Sequence, residues 1–257
     1  MSKGKVKPEN VVAVVLAGGS GTRVRHLLPN LPKPMAPVAG KPFLEWVVRY
    51  LGTQGIPNVI LSTGYLGEVV ERHFRTQLVP SVRVWCCAET EPLGTAGGFC
   101  YAVRTSLKSH LPSPPTAWLI LNGDSLAFAP LASLLRHLDN PTVAGAILGL
   151  SVDDASRYGS LACNSQGNLL RFAEKRPGCG TINAGVYLLR HAVLEEFPST
   201  IPLSFEQDVF PDLLARETNF KIESCEAPFL DIGTPESLPQ AETFIEKNRD
   251  WFKDFSQ

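Results

Sequence analysis

The sequence has no apolar run long enough to cross a lipid bilayer. Its first apolar segment, Val11–Ala17, is short and runs directly into glycines, whereas a membrane-spanning helix needs about 20 apolar residues. The glycines also argue against a signal peptide at this position. These absences predict a protein that has no membrane partner and stays in the cytoplasm.

The chain also lacks an excess of charge of either sign. Its 24 Lys and Arg residues are balanced by 25 Asp and Glu residues, which leaves a formal net charge of -1 at pH 7. A nucleic-acid-binding protein contacts the phosphate backbone through a broad basic surface. The composition therefore argues against nucleic acid as a partner, and an anionic ligand is expected at a local site.

Cysteine and histidine do not form a metal or disulfide pattern. None of the six cysteines belongs to a C-x-x-C pair, and the five histidines never lie at ligand spacing from one another. Small buried thiols are favoured over a zinc site or a disulfide framework. A G-x-S-x-G elbow is absent as well, so a serine nucleophile of that type is not indicated.

The first 150 residues alternate between apolar runs of strand length and stretches with helical spacing. The runs are Val11–Ala17, Val59–Thr63, Val82–Ala88, Trp118–Leu121 and Ala144–Leu150, and the helical stretches include Phe43–Thr53 and Leu66–Phe74. This alternation predicts β-α-β units. Continuous apolar strands are typical of a sheet covered on both faces, so the prediction is an α/β fold with a Rossmann-like, doubly wound, mostly parallel sheet.

The rhythm changes after residue 150. Tyr158–Cys163 and Leu169–Ala173 flank a turn and predict a hairpin, followed by a strand at Ala184–Leu189. This part is expected to be a small antiparallel insertion. Helices are predicted at Phe205–Arg216 and Pro235–Asn248, with Thr234 as the N-cap of the second. The length of 257 residues suits one domain.

The strongest local signal is the stretch Leu16-Ala17-Gly18-Gly19-Ser20-Gly21-Thr22-Arg23 at the end of the first predicted strand. Open α/β sheets bind ligands at this edge, and glycines let backbone N–H groups approach phosphate oxygens. The stretch is not a P-loop, because Gly21 is followed by Thr22 and Arg23 rather than by Lys. It is not a dinucleotide fingerprint either, because the frame from Gly19 ends on Val24.

A lysine between two prolines follows in Pro32-Lys33-Pro34-Met35. The prolines restrict the backbone and fix the direction of the lysine. Taken alone, such a residue is more often a solvated loop lysine. Its combination with the glycine-rich loop favours a cation held against a nucleoside triphosphate.

The segments LAGGSGTR, PKPM and GKPFLE together resemble the signature of the sugar-1-phosphate nucleotidyltransferase family, and the resemblance extends from about Val12 to Asn248. It implies that Arg23 and Lys33 are catalytic, with Lys33 stabilising charge on the reacting α-phosphate. It also implies a set of nucleotide-binding residues in the loop, namely Leu16, Ala17, Gly18, Gly19, Gly21 and Thr22. The implied substrates are a nucleoside triphosphate and a sugar 1-phosphate.

Two aspartates follow apolar segments far apart in the chain. Asp124 ends the run Leu121-Asn122-Gly123-Asp124, and Asp231 follows the apolar pair Phe229-Leu230 and precedes the predicted helix that Thr234 caps. A lone aspartate in such a place is usually a turn or helix cap. The family resemblance implies instead that Asp124 and Asp231 converge on one Mg²⁺, which bridges phosphate oxygens and keeps several waters.

The resemblance extends to the base and to the sugar. Glu89, Gly94 and Thr95, in and before the glycine-containing segment Glu91–Gly98, are expected to contact the nucleobase. A further set is expected to hold the sugar 1-phosphate, namely Asn122, Tyr158, Gly159, Glu174, Lys175 and Asn183. The implied division is a nucleotide-binding part at about 11–150, a sugar-binding part at about 151–235 and a C-terminal helix at about 235–257.

Within the family, the segments PKPMAPVAGKPFLEWVV, YGS, INAGVYLL, SFEQDVFPDL and DIGTPE most resemble the branch that transfers guanylyl from GTP to D-glycero-α-D-manno-heptose 1-phosphate. Guanylyl transfer to mannose 1-phosphate and uridylyl or thymidylyl transfer to another hexose phosphate stay open, because base and sugar choice depend on a few pocket contacts. A catalytically silent relative that binds a sugar nucleotide is the alternative of another class. The aromatic segment Trp251–Phe255 could pack on the domain or on a second subunit, so a homo-oligomer is also left open.

Overall fold

A computed structural model of the chain describes residues 5–173 and 177–255. The strands in chain order are β1 (Val11–Ala17), β2 (Pro37–Val38), β3 (Lys41–Pro42), β4 (Asn58–Thr63), β5 (Arg83–Ala88), β6 (Ala117–Asn122), β7 (Ser125–Ala127), β8 (Gly145–Val152), β9 (Ser160–Cys163), β10 (Leu169–Ala173), β11 (Gly180–Arg190), β12 (Phe220–Cys225) and β13 (Phe229–Asp231).

The α-helices are α1 (Phe43–Thr53), α2 (Gly67–Thr76), α3 (Thr95–Ser109), α4 (Leu131–Arg136), α5 (Phe210–Ala215) and α6 (Ala241–Lys247). Short 3₁₀ turns lie between them, and Phe205–Val209 forms one turn of π-helix. No helix in the described ranges is long and apolar enough to cross a membrane.

The central sheet is parallel on one side and antiparallel in its middle. Strands β5, β4, β1 and β6 are parallel neighbours in that order. Strand β11 then pairs antiparallel with both β6 and β8, and β12 lies parallel to β8. The hairpin β9–β10 joins the beginning of β11. The predicted mostly parallel sheet with a small antiparallel insertion is confirmed.

Helices cover both faces of this sheet. Alternate residues of β1 point to opposite sides, so Val11, Ala13 and Val15 pack in one core with α1 and α2. Val12 and Val14 pack in a second core with α3 and α5. Two apolar faces explain why β1 reads as a continuous hydrophobic run, and they make the sheet doubly wound as predicted.

Two predicted helices are broken by proline. The span 205–216 divides into the π-helical turn and α5, because Pro211 at the start of α5 has no N–H to continue the hydrogen-bond pattern. The prediction of one helix over 235–248 was wrong: α6 begins only at Ala241, after a 3₁₀ turn that contains Pro239. Thr234 nevertheless caps a local turn, since its hydroxyl accepts from the N–H of Ser237 at 3.2 Å.

The aromatic residues near the C-terminus pack on the domain itself. The ring centroid of Phe252 lies 4.9 Å from that of Trp46 in α1. The ring of Trp251 stacks on Phe128 with a centroid distance of 5.7 Å. Of the two sequence-based options for this segment, packing on the domain is therefore realised for both of these rings.

A buried carboxylate joins α1 to α2. Glu45 is 3% exposed, and it contacts Arg49 at 2.8 Å, Lys41 at 3.1 Å and His73 at 2.8 Å. Burial by itself would raise the pKa of Glu45, but hydrogen bonds from these three partners bring it below its ordinary value. The ionised form is therefore the one that stabilises the contact between the helices.

Glu45→Gln is expected to lower the free energy of unfolding at pH 7 by about 1–3 kcal/mol, because charged hydrogen bonds are lost in a buried place. The wild type exceeds Glu45→Gln in free energy of unfolding by the full amount above the unfolded-state pKa of 4.5. This difference disappears as the pH falls through the lower folded-state pKa. Urea unfolding at pH 7 and pH 3 measures both effects. The control is Glu71→Gln at the exposed pair with Arg75, where a similar loss would contradict the argument.

Candidate active site

The glycine-rich loop follows β1 at the carboxyl edge of the parallel strands. Leu16, at the end of β1, is in register with residues at the ends of both β4 and β6. The carbonyl of Gly18 accepts a hydrogen bond from the N–H of Tyr65 at 3.3 Å. A Cβ on Gly64 would lie 2.7 Å from that carbonyl oxygen, so only glycine at 64 lets the loop rest on the turn after β4.

A cavity of about 760 Å³ opens beside this loop, which is within the size range of small-molecule sites. Its wall includes members of the predicted nucleotide, sugar and metal sets, namely Leu16, Gly18, Gly19, Glu89, Gly94, Thr95, Asn122 and Asp124. Residues without a predicted role also line it, namely Ser20, Gly64, Tyr65, Thr90, Glu91, Pro92 and Leu93. The structure thus gathers the chain around residues 16–20, 89–95 and 122–124 on one cavity.

Glu89 lies in the cavity wall with both carboxylate oxygens engaged. Oε1 accepts from the hydroxyl of Ser62 at 2.9 Å, and Oε2 accepts from the N–H of Leu93 at 3.4 Å. A Cβ on Gly98 would lie 2.4 Å from Oε1, so the first turn of α3 needs glycine where the carboxylate approaches. Glu89 is consequently a positioned hydrogen-bond acceptor in the cavity.

The N-terminus of α3 is capped by another segment of the chain. Gly94 precedes the helix with a φ of +78° and provides no side-chain cap. The carbonyl of Leu203 instead accepts from the N–H groups of Ala96 at 2.9 Å and Gly97 at 3.1 Å. A Cβ on Gly94 would lie 2.5 Å from that carbonyl oxygen. Both its φ and its close contact therefore require glycine at 94.

Lys33 and Asp124 meet across the site. Lys33 lies in a 3₁₀ turn after the glycine-rich loop, and its Nζ is hydrogen-bonded to the Oδ2 of Asp124. Gly21 has a φ of +58°, and a Cβ there would lie 3.0 Å from the Cβ of Lys33. The loop and the lysine are therefore packed directly against each other, which places a cation beside the cavity.

Asp231 is brought to Asp124 by a short strand pair. Asp231 is opposite Ser125 in the β13–β7 ladder, and the carbonyl of Asp124 accepts from the N–H of Ile232 at 2.9 Å. Burial and then the negative charge of Asp124 raise the pKa of Asp231 above its ordinary value, although the Gly233 N–H opposes this. The two carboxylates are thus close enough to repel each other.

The remaining predicted residues of the loop do not line the cavity. Ala17 is buried in β1, whereas Thr22 and Arg23 are exposed. The catalytic role implied for Arg23 and the nucleotide contacts implied for Ala17, Gly21 and Thr22 stay predictions.

Two of the predicted sugar-side residues within the described ranges are hydrogen-bonded to each other, and the others pack against neighbouring strands. The N–H of Asn183 donates to the carbonyl of Gly159 at 2.9 Å, and the ring of Tyr158 packs edge-on against Phe229, two residues before Asp231. Asn122 packs against the bulge in β11, where a Cβ on Gly185 would lie 2.3 Å from its Nδ2. Glu174 and Lys175, the other two predicted contacts, lie outside the described residues.

Comparison with known proteins identifies the family. A family model for nucleotidyl transferases matches residues 12–248. The chain belongs to this family. The family and the fold predicted from the sequence are thereby confirmed.

Two curated relatives of this nucleotidyl transferase are guanylyltransferases. The D-glycero-α-D-manno-heptose 1-phosphate guanylyltransferase of Campylobacter jejuni is 34% identical over 87% of this chain and 95% of its own length. The mannose-1-phosphate guanylyltransferase of Mycobacterium tuberculosis is 36% identical over 89% of this chain and 62% of its own length. The first relative's name gives the acceptor that the sequence resemblance favoured, and the second's gives an alternative that it had left open.

A solved structure shows the same architecture. The crystal structure of HddC from Yersinia pseudotuberculosis complexed with GMP-PN superposes with a TM-score of 0.77. It is 31% identical in sequence and covers 90% of this chain and 97% of the HddC chain.

The carboxylate pair fits the magnesium ion that the family implies. Asp124 and Asp231 provide the oxygen ligands that Mg²⁺ prefers. Burial and then repulsion by Asp124 raise the pKa of Asp231, and a divalent cation would relieve the repulsion. The described residues contain no group of three or more His, Cys, Asp or Glu side chains placed to hold a metal. Phosphate oxygens and water would have to complete the coordination, which is how Mg²⁺ is usually held in phosphoryl-transfer sites.

Tyr65 is a cavity residue that the sequence reasoning did not assign. Its hydroxyl accepts from the Nε of Arg25 at 3.0 Å, and the guanidinium of Arg25 lies 4.3 Å from its ring centroid. The available signal was its position, because Gly64-Tyr65 follows a predicted strand just as the glycine-rich loop follows β1. In a parallel sheet these two turns share one edge.

Proposed function

We propose that this nucleotidyl transferase joins GTP and D-glycero-α-D-manno-heptose 1-phosphate to form GDP-heptose and pyrophosphate. An oxygen of the sugar phosphate attacks the α-phosphorus of GTP and forms a new P–O bond. The bond from that phosphorus to the bridging oxygen of the β-phosphate breaks, and pyrophosphate leaves with the electron pair. We place the reaction in the cytoplasm.

Glu89 is the observation that carries the choice of guanine. Guanine presents two adjacent donors, N1–H and the exocyclic amino group, whereas a carboxylate offers two adjacent acceptors. Uracil and thymine present one N–H between two carbonyl oxygens, which a carboxylate would repel. Adenine presents an unprotonated ring nitrogen beside its amino group, so it can make only one of the two hydrogen bonds.

The choice of heptose is supported by the relatives. The heptose enzymes of Campylobacter jejuni and Aneurinibacillus thermoaerophilus align with this chain over 95% and 96% of their own lengths. Mannose 1-phosphate is the alternative acceptor, because mannose-1-phosphate guanylyltransferases align with comparable identity. The two acceptors would be told apart by residues around Asn183, Tyr158 and Gly159.

The chemistry requires neutralisation of negative charge around the α-phosphorus. Asp124 and Asp231 would hold a Mg²⁺ ion, which neutralises and orients phosphate oxygens when bound. Lys33, held beside Asp124, adds a positive charge at the same place. The backbone around Gly18 and Gly19 provides N–H groups next to the cavity, where they can bind further phosphate oxygens.

The test of the proposed function is pyrophosphate release with Mg²⁺ over a grid of nucleotides and acceptors. The nucleotides are GTP, UTP, CTP, dTTP and ATP, and the acceptors are the 1-phosphates of heptose, mannose, glucose and N-acetylated sugars. Release confined to GTP with the heptose phosphate is the expected result. Release with another pair would show that the proposed substrates are wrong. No release from any pair would indicate that the protein is a catalytically silent relative that binds a sugar nucleotide.

Glu89→Gln is expected to lower kcat/KM for GTP by about 10- to 100-fold, because a carboxamide can accept only one of the two hydrogen bonds from guanine. Discrimination against UTP is expected to fall with it. The matched control is Glu91→Gln, another carboxylate in the cavity wall. Unchanged discrimination in Glu89→Gln, or an equal loss in Glu91→Gln, would contradict the assignment of the base site.

A further inference from the structure

Glu206 connects the sugar side of the site to the nucleotide cavity. It lies in the π-helical turn, and its Oε1 accepts from the hydroxyl of Tyr187 at 2.6 Å. Its Oε2 accepts from the hydroxyl of Ser204 at 3.0 Å and from that of Thr95 at 3.5 Å. Thr95 lines the cavity and also accepts from the N–H of Phe205 at 3.0 Å. Glu206 had no role in the sequence-based assignment.

The second half of the network reaches Asn183. The Nδ2 of Asn183 donates to the hydroxyl oxygen of Tyr187 at 2.8 Å, and its Oδ1 accepts from the N–H of Gly185 at 2.9 Å. The pairing register of β11 is irregular between Asn183 and Tyr187, and Gly185 has a φ of +70°. Irregularities of this kind re-aim side chains next to functional sites.

The hydrogen bonds from Gly185 through Asn183 and Tyr187 to Glu206 form a series, and the groups at its two ends determine the direction of each bond. The N–H of Gly185 can only donate, so the side-chain atom of Asn183 that faces it must be the oxygen. The amino group of Asn183 therefore faces Tyr187, whose hydroxyl must accept from it and give its own proton to an acceptor. The carboxylate of Glu206 is that acceptor, and the side chain of Tyr187 is completely buried, so water does not compete for the bond.

We propose that Glu206 is a positioning residue that orients the Asn183 amide through Tyr187 for binding of the sugar 1-phosphate. The orientation leaves one N–H and one lone pair of the Asn183 amide free for the hydroxyl groups of the sugar. The same carboxylate holds the segment 203–206 against the beginning of α3, where Leu203 caps the helix. This inference rests on the proposed function, because Asn183 is taken as an acceptor contact.

The experiment measures the Kd for heptose 1-phosphate and mannose 1-phosphate by calorimetry, with the protein saturated by Mg²⁺ and a GTP analogue whose bridge between the α- and β-phosphates cannot be cleaved. Tyr187→Phe removes the link between Asn183 and Glu206. Glu206→Gln keeps the shape but makes the direction of the hydrogen bonds ambiguous. Each variant is expected to weaken sugar phosphate binding about 10-fold, with the Kd of the GTP analogue nearly unchanged. The double variant is expected to be no weaker than either single variant, because both break one chain.

Tyr50→Phe is the matched control. Tyr50 is 1% exposed, and its hydroxyl donates to the carbonyl of Ala129 at 2.5 Å, so the substitution also deletes one buried tyrosine hydroxyl. It is expected to lower the unfolding temperature without changing the Kd for the sugar phosphate. If Tyr50→Phe weakened binding as Tyr187→Phe does, the effect would be general destabilisation and the positioning role would be wrong.

The remaining outcomes separate this inference from the proposed function. If the wild type binds a sugar phosphate and Tyr187→Phe binds it with the same Kd, the positioning role alone is overturned. Additive losses of sugar phosphate affinity in the double variant would overturn it as well. If the wild type bound neither sugar phosphate, the proposed function would fail, and the positioning role would fail with it.

Discussion

Asp231→Asn is expected to lower kcat by about 10²- to 10⁴-fold, because the site loses one of the two carboxylates that hold Mg²⁺. The fold is expected to be at least as stable as that of the wild type when metal is absent. The carboxylate of Asp231 is buried beside Asp124, so its ionised form is disfavoured in the folded protein. An asparagine can still accept the hydrogen bond from Gly233, which the wild type makes at 2.5 Å.

The pH dependence of stability follows from the raised pKa of Asp231. The folded state retains the proton at a pH where the unfolded chain, with a pKa of 3.8, has released it. The contribution of this residue to stability therefore falls as the pH rises from below 3.8 to above the folded-state pKa. Asparagine does not titrate, so the stability of Asp231→Asn does not change in this way. In metal-free buffer, the variant is therefore expected to become more stable than the wild type over the same pH range.

Thermal unfolding in EDTA between pH 3 and pH 8, together with steady-state kinetics in Mg²⁺, tests both expectations. Asp250→Asn is the control, because Asp250 is an exposed carboxylate that pairs with Lys253. Asp250→Asn should change neither the unfolding temperature nor kcat. Full turnover in Asp231→Asn would remove this residue from the metal site, and a lower unfolding temperature would contradict the argument from repulsion.

Lys33→Met is expected to lower kcat by about 10²- to 10³-fold, because a positioned positive charge beside the reacting phosphate is lost. The side chain of Lys33 is 17% exposed and its Nζ is bonded to Asp124, so water cannot fully replace it. The prolines on either side hold the 3₁₀ turn, and the backbone is expected to keep its conformation. The Kd for the sugar phosphate should change less than kcat.

The control for this variant is Lys41→Met. Lys41 pairs with Glu45 on α1, so its loss affects the contact between α1 and α2 rather than the reacting centre. Lys41→Met is expected to lower stability with little effect on kcat. A kcat equal to that of the wild type in Lys33→Met would show that the lysine only neutralises Asp124.

The spacing of apolar residues correctly predicted helices and strands that depend on neighbouring residues in the sequence. Phe43–Thr53 was predicted as a helix and is α1. Leu169–Ala173 was predicted as a strand and is β10. The predicted helix over 235–248 failed because Pro239 interrupts it, a signal that was present in the sequence and outweighed there by the helical spacing around it.

The sequence by itself determined which chemistry the chain carries and in what order its strands and loops come, because glycine, proline and alternating apolar residues act over a few positions. Gly18, Lys33 and Asp124 lie in sequence segments to which the family resemblance assigned a role. The family resemblance had implied that Asp124 and Asp231 converge, but only the tertiary structure decided that the β13–β7 pair brings them together. It alone also decided that Tyr187 and Glu206 hold Asn183. Those contacts join residues far apart in the chain, and they depend on sheet register and on an irregular β11, which no short sequence pattern specifies.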